Sequence, residues 1–182
     1  TRLLSARLRQ TPTTLTATLT MDDADGGFAA LALAPGWTVT LTPGYASGAA
    51  GAQEAGIAFT LTIEAIAHTP AEGRRTVTLT CTGPLEQLAR WRPASAYQSA
   101  AGALTRFQLL LRAAQRAAIP VASGADPDDP SPDFTAYSPS LAWAPGESGR
   151  TILDRILAPL NDGLRTETGA LTVVNRTSRL FA

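Results

Sequence analysis

The sequence has no lysine and only one histidine, one cysteine and one methionine. A single cysteine, Cys81, cannot form an internal disulfide, so the fold needs none. A single histidine, His68, leaves one conceivable base for a Ser-His-Asp triad, and no serine lies in a Gly-x-Ser-x-Gly elbow. His68 has no cysteine or histidine at zinc-ligand spacing either. Fifteen arginines balance fifteen acidic residues. That argues against a chain-wide electrostatic footprint for nucleic acid or an anionic membrane. No apolar run approaches the ~20 residues of a membrane span, and no basic segment leads an apolar one as in a secretory signal. The missing lysine, beside abundant Ala, Gly and Pro, reads as the bias of a GC-rich coding sequence rather than arginine chosen for bidentate pairing. The chain opens on Thr1 and stops abruptly at Arg179-Leu180-Phe181-Ala182, ends expected of a fragment.

What is plentiful is threonine in alternation. In residues 35–45, Pro35-Gly36 makes a turn, Trp37, Val39 and Leu41 alternate with Thr38, Thr40 and Thr42, and Pro43-Gly44 closes the run. Period two with one apolar face is the mark of a half-buried strand, and this stretch is expected to organise the chain. The same grammar recurs. Leu15, Ala17 and Leu19 alternate with Thr14 to Thr20; Ile57, Phe59, Leu61, Ile63 and Ala65 with Ala58, Thr60, Thr62 and Glu64; Val77, Leu79 and Cys81 with Thr76 to Thr82. Residues 2–10 read as a first strand or arm, 28–33 as a short strand, 46–56 as a flexible loop or hairpin tip, and 72–74 as a hairpin tip. The first eighty-odd residues thus give five or six strands with no helix signal, an antiparallel barrel or sandwich.

The period changes at Gly83-Pro84. Pro84 suits the first turn of a helix that carries Leu85, Leu88 and Ala89, with Thr82 a cap; Trp91 follows and Pro93 stops it. Residues 94–102 read as a small-residue linker. Over 103–118, Leu104, Phe107, Leu111, Ala114 and Ala118 form an amphipathic stripe, with Arg106, Arg112 and Arg116 on a solvated face. Asp126, Asp128, Asp129 and Asp133 among prolines make 122–139 an irregular surface loop. Leu141-Ala142-Trp143 reads as extended. Ser148 is a candidate N-cap for a helix bearing Ile152, Leu153, Ile156, Leu157 and Leu160; Pro159 ends or kinks it, and Gly163 is a natural C′ residue. Residues 164–174 read as a hairpin turning at Thr168-Gly169. The whole is α+β and mainly β: an antiparallel β domain over 1–82, then a helix-rich α+β domain over 83–182 with a C-terminal hairpin.

Chemistry-bearing residues are sparse. Asp22, Asp23 and Asp25 before Gly26-Gly27 invite a calcium-loop reading, but no helix with a glutamate follows at the required offset, so an Asp-rich turn is expected. The aspartates of 122–139 have no rigid element to hold a metal. Glu64 is the one acid well inside a strand, which leaves no carboxylate pair for glycoside hydrolysis. Cys81, on an apolar face, is an inert core thiol rather than a nucleophile. Trp37, Trp91 or Trp143 could stack on sugars if exposed, though Trp37 and Trp91 sit on apolar faces and read as core. No catalytic residue, cofactor or metal is expected, and the residues point away from an enzyme.

Arg7-Leu8-Arg9, then Leu15 to Gly26 ending in Asp22-Asp23-Ala24-Asp25-Gly26, then Pro35-Gly36-Trp37 to Gly44-Tyr45, resemble the tail-tube and baseplate hub proteins of tailed phages and related injection machines. The likeness extends to the Val77–Cys81 strand running into the Leu85/Leu88 helix, an amphipathic helix, a Thr-Ile-Leu-x-x-Ile-Leu helix and a closing hairpin. The stretch at 122–139 departs from it as an insertion. The resemblance implies a structural role and no catalytic residues. It implies a trimeric or hexameric homo-oligomeric ring that continues the tail tube and seats spike or fibre proteins. It also implies a virion location after assembly in the host cytoplasm, with no specific nucleic-acid sequence recognition and no membrane anchor. Strand edges, the 46–56 loop and the threonine faces are the candidate interface surfaces. The other reading is a secreted or surface module binding carbohydrate or protein.

Overall fold

The computed structural model describes residues 2–11, 14–47, 52–71, 74–122, 132–158, 160, 162–167 and 169–175. The chain divides into two compact units, Thr1–Gly83 and Pro84–Ala182. The fold is α+β and mainly β, as the alternation implies.

In the first unit the elements are β1 (Leu3–Thr11), β2 (Thr14–Asp22), a helical turn α1 (Gly27–Ala30), β3 (Thr38–Leu41), β4 (Gly44–Ser47), β5 (Ala52–Ala55), β6 (Phe59–Ala71) and β7 (Arg74–Thr82). Five strands make one antiparallel sheet in the order β1-β2-β7-β6-β3, and β4 pairs with β5 as a separate hairpin. The apolar half of each alternation supplies the core: Leu15, Ala17 and Leu19 from β2, Val77, Leu79 and Cys81 from β7, Phe59, Leu61 and Ile63 from β6. The threonines take the opposite face, because successive side chains of a strand point to opposite sides.

Several expectations are corrected here. The stretch 35–45 does not organise the sheet. Its strand β3 is a four-residue edge, Trp37 is 50% exposed rather than core, and β7 holds the centre between β2 and β6. Residues 28–33 are not a strand. They begin in α1, because aspartate oxygens upstream accept the N–H groups of Gly27 and Phe28 and Gly26 supplies a φ of 70°. Phe28 still packs on the core. In β6 the register shifts between Ile63 and Ala65, so Glu64 occupies a bulge and the faces exchange beyond it. Ala65 therefore joins the threonine face, and Ile66 and His68 turn to the core side opposite Leu79 and Val77. Ile57, read as a strand residue, precedes β6 and is exposed. His68 lies inside the strand, not at a turn. The expected hairpin tip at Glu72-Gly73 and the middle of the 46–56 loop lie outside the described residues.

In the second unit, α2 (Pro84–Arg90), β8 (Tyr97–Ser99), α3 (Arg106–Arg116), α4 (Pro132–Ala136), β9 (Leu141–Trp143), α5 (Gly149–Leu157), β10 (Asp162–Glu167) and β11 (Ala170–Asn175) follow in order. One core gathers Leu85 and Leu88 from α2, Leu109, Leu110, Ala113 and Ala114 from α3, Ile152, Leu153 and Ile156 from α5, and Leu164, Leu171 and Val173 from the hairpin. Ser148 is the N-cap of α5, its Oγ accepting from Thr151 N at 3.4 Å. The β10–β11 hairpin turns at Gly169, whose φ is 96°.

The corrections in this unit have local causes. Residues 94–102 are not a linker, because β8 pairs antiparallel with β9. The buried stripe of α3 is Arg106, Leu109, Leu110, Ala113 and Ala114, not one led by Leu104 and Phe107. Thr105 sets that phase by closing a capping box with Gln108, so the helix starts at Arg106, and Ala118 already lies beyond it at a φ of 57°. Arg106 is buried, not on a solvated face. Its Nη1 donates to Ile156 O at 2.5 Å in the last turn of α5, and its guanidinium lies 5.0 Å from the Tyr137 ring centre. Gly163 is not a helix C′ residue. Helix α5 ends at Leu157 with Ala158 as its cap, and Gly163 pairs with Val174. Within 122–139, residues 123–131 lie outside the described set, but 132–136 form α4 and Phe134 is fully buried. Asp126, Asp128, Asp129 and Pro159 also lie outside it.

Candidate assembly surface

The Asp-rich turn uses its oxygens on its own backbone. Asp22 Oδ1 accepts from Ala24 N at 3.1 Å, Asp23 Oδ1 from Phe28 N at 2.8 Å, and Asp25 Oδ1 from Gly27 N at 3.0 Å. Asp25 Oδ2 meets Arg2 Nη2 at 2.6 Å. Asp23 is wholly buried, with Oδ2 lacking a hydrogen bond and Arg75 Nη2 at 3.9 Å. Among the described residues no cluster of three His, Cys, Asp or Glu side chains could hold a metal.

Cys81 is fully buried, and burial pushes its thiol above the usual range. The expected result is a native thiol that resists iodoacetamide and becomes reactive on unfolding, read by mass shift with and without denaturant. The folded chain holds that proton to higher pH than the unfolded one. The thiol therefore favours the fold fully below the unfolded thiol range, and the contribution is lost as pH rises from there through the raised native value. Rapid native labelling would place Cys81 at the surface.

The three tryptophans differ. Trp143 is 3% exposed, stacked on Tyr97 at 4.2 Å and 22°, and met edge-on by Trp91 at 6.1 Å. Arg116 lies over both Tyr97 and Trp143, at 5.0 and 5.7 Å. An open concavity of about 670 Å³ lies beside this stack, walled by Tyr97, Trp143, Pro145, Glu147 and Arg155. Arg155 pairs with Glu147 and donates to Ala142 O at 2.6 Å, while Glu147 accepts from Ala144 N at 3.2 Å. The ion pair thus covers backbone groups of β9 and the loop after it. The Trp143 indole is core, not an exposed platform for sugar; Trp37 is the tryptophan left half exposed.

What the first unit leaves open is sheet edge and sheet face. Among the described residues strand β1 has one neighbour, β2, and every residue of it is exposed except the half-buried Leu8. It holds no proline, and Arg7 and Arg9 are its only charges, of the kind that discourages further pairing. At the far side β3 has, among the described residues, one neighbour in the sheet, β6. Between the two edges, side chains line up across all five strands. Arg9, Thr16, Thr82, Thr62 and Thr38 form one row on the threonine face. On the core face the next row is Leu8, Ala17, Cys81 and Ile63, whose N donates to Trp37 O at 2.7 Å. Alternation in the sequence announced both faces. It carried no sign of which strands would be edges, since that depends on pairing order.

An antiparallel β unit with one long open edge, followed by a helix-rich unit closed by a hairpin, defines the architecture to compare. No protein-family model matches this sequence, and no curated protein is similar to it. Among solved structures the chain is similar to the 43 kDa tail protein of prophage MuSo2 from Shewanella oneidensis. That likeness has a TM-score of 0.53 at 15% identity, covering 93% of this chain and 48% of that one. A tail protein from Neisseria meningitidis MC58 aligns at 14% identity and TM-score 0.46, over 92% of this chain and 44% of that one. The chain spans about half the length of these proteins, and what the first likeness shows is a shared fold.

Proposed function

We propose that this chain is a structural subunit of a phage tail or tail-like particle, part of a homo-oligomeric ring that continues the tail tube and docks spike or fibre proteins. The observation that carries this reading is the likeness in fold to a prophage tail protein over 93% of the chain. The nine-residue edge of β1, which pairs only with β2 among the described residues, supports it, because such a row of backbone donors and acceptors is a template for association. The threonine face supports it as well, being polar and bearing few charges, which suits a wall past which other molecules move. On this reading the protein works in the virion tail after assembly in the host cytoplasm, and it performs no reaction.

Light scattering behind size exclusion, over a hundredfold range of concentration, is expected to show a mass that climbs to a discrete multiple of one chain. Negative-stain images of that species are expected to be annular. A single-chain mass throughout that range would rule the ring out.

A further inference from the structure

We propose that the outer edge of β9 is a strand-pairing surface for a second copy of this chain, held shut by the Glu147–Arg155 pair. This surface lies in the second unit and is independent of the ring proposed above.

The backbone of β9 defines the edge. In the β8–β9 ladder Tyr97 stands opposite Trp143, Gln98 opposite Ala142 and Ser99 opposite Leu141. Hydrogen-bonded and non-hydrogen-bonded pairs alternate along such a ladder, and a residue of the second kind turns its N–H and C=O away from the partner strand. Ala142 O accepts from Arg155 Nη1 at 2.6 Å, and Ala144 N donates to Glu147 Oε2 at 3.2 Å. Backbone groups two residues apart project on the same side of an extended chain, so both contacts fall on the edge away from β8. The two side chains also bind each other. Together they supply one donor and one acceptor where a neighbouring strand would supply them. This guard is weak, because the Arg155 and Glu147 side chains are 41% and 23% exposed and solvent screens such pairs. A sheet of two three-residue strands is itself marginal and gains from another strand.

The sequence around the edge fits a copy of itself. Ser140-Leu141-Ala142-Trp143-Ala144 carries no charge, and Pro139 and Pro145 bracket it at equal distance from Ala142. Antiparallel pairing about a two-fold axis at Ala142 sets Leu141 opposite Trp143 and Ser140 opposite Ala144, with no like charges in register. Pro139 of one copy then meets Pro145 of the other. Lacking an N–H, these residues end the ladder at both sides, which gives a closed dimer and not a growing fibre. The open concavity that Ala142 and Ala144 help to line leaves room for the incoming chain. Each copy brings one base and one acid to the seam, Arg155 and Glu147, so the charges there are complementary.

The test places a cysteine at the seam in the whole chain: A142C, with and without E147A/R155A, and Q98C/E147A/R155A as a control on β8. Ala142 and Gln98 are both exposed, and Cys81 is buried and stays silent in the folded protein. Opposed residues at the centre of such a pair lie about 5.5 Å apart between Cα atoms, within disulfide range. Mild oxidation is expected to give at least tenfold more covalent dimer from A142C/E147A/R155A than from A142C, and only background from the Q98C control, with the circular dichroism of the unaltered chain throughout. Dimer from A142C is also expected to increase severalfold at about 1 M salt, where the Debye length falls to about 3 Å and the guard is screened. Equal dimer from the Q98C control and its A142C counterpart would overturn the seam. No gain on removing the guard from a folded chain would overturn it too. Should E147A/R155A unfold the chain, the salt series on A142C decides alone, and a flat series overturns the proposal.

Discussion

Gly149→Ala is expected to destabilise the second unit by about 3 kcal/mol or more, the upper end of what overpacking costs. Intrinsic propensity argues the other way. Gly149 is the first residue of α5, and alanine is favoured over glycine in a helix by up to about 1 kcal/mol. Space decides the sign. A Cβ built on Gly149 would lie 1.9 Å from Leu88 O and 3.2 Å from Trp91 O, both backbone atoms, in a place where no flexible side chain can yield. Gly149 N also donates to Trp91 O at 2.8 Å, so α5 cannot move away without breaking the bond that seats it against the end of α2. Denaturant unfolding followed by tryptophan fluorescence reads the result, since Trp91 and Trp143 both lie in this unit. A midpoint equal to or above that of the unaltered chain would show that α2 and α5 are not in backbone contact.

Phe134→Ala is expected to cost about 3–5 kcal/mol, the range for deleting a large aromatic from a packed core. Phe134 is fully buried and meets Phe107 edge-on at 6.0 Å. Phe134→Leu, which keeps most of the volume, is expected to lose less than half as much. A loss below about 1 kcal/mol for the alanine variant, where surface substitutions fall, would return residues 132–136 to the irregular loop that the sequence pattern suggests. The measurement therefore tests a place where composition misleads. Proline and aspartate around this phenylalanine announce a loop, yet Pro132 opens a helical turn that points one aromatic inward.

The faces of the first sheet were legible because threonine alternates with Leu, Val, Ala and Cys at period two, and that pattern alone assigns core and outer sides. The bulge at Glu64 was not legible. It shifts one strand by one residue, and no residue in Ile63-Glu64-Ala65 forces it; the exchange of faces it causes appears only once β6 is paired with β7. The phase of α3 failed for a related reason. The sequence offers two apolar stripes one residue apart, and the capping box at Thr105 with the burial of Arg106 under the end of α5 selects between them. Trp37 shows the same limit for the assembly surface. Its alternation with Thr38 and Thr40 places it on the core side, but it is half exposed beside a strand that ends the sheet among the described residues.

By itself the sequence determined what one residue and its near neighbours can settle: where the long threonine-laced strands of the first sheet run, which side of β2 and β7 is apolar, that Cys81 faces that side, and that Ser148 caps a helix. Local sterics, side-chain alternation and short-range hydrogen bonds fix those things before any distant contact exists. Only the tertiary structure decided that β7 is central and that β1 and β3 are edges. It also decided that Arg106 and Phe134 are buried and that Gly149 has no room for a methyl group. Each of those depends on which distant segment arrives alongside, and the surface left open for a neighbour is whatever remains after all of them have arrived.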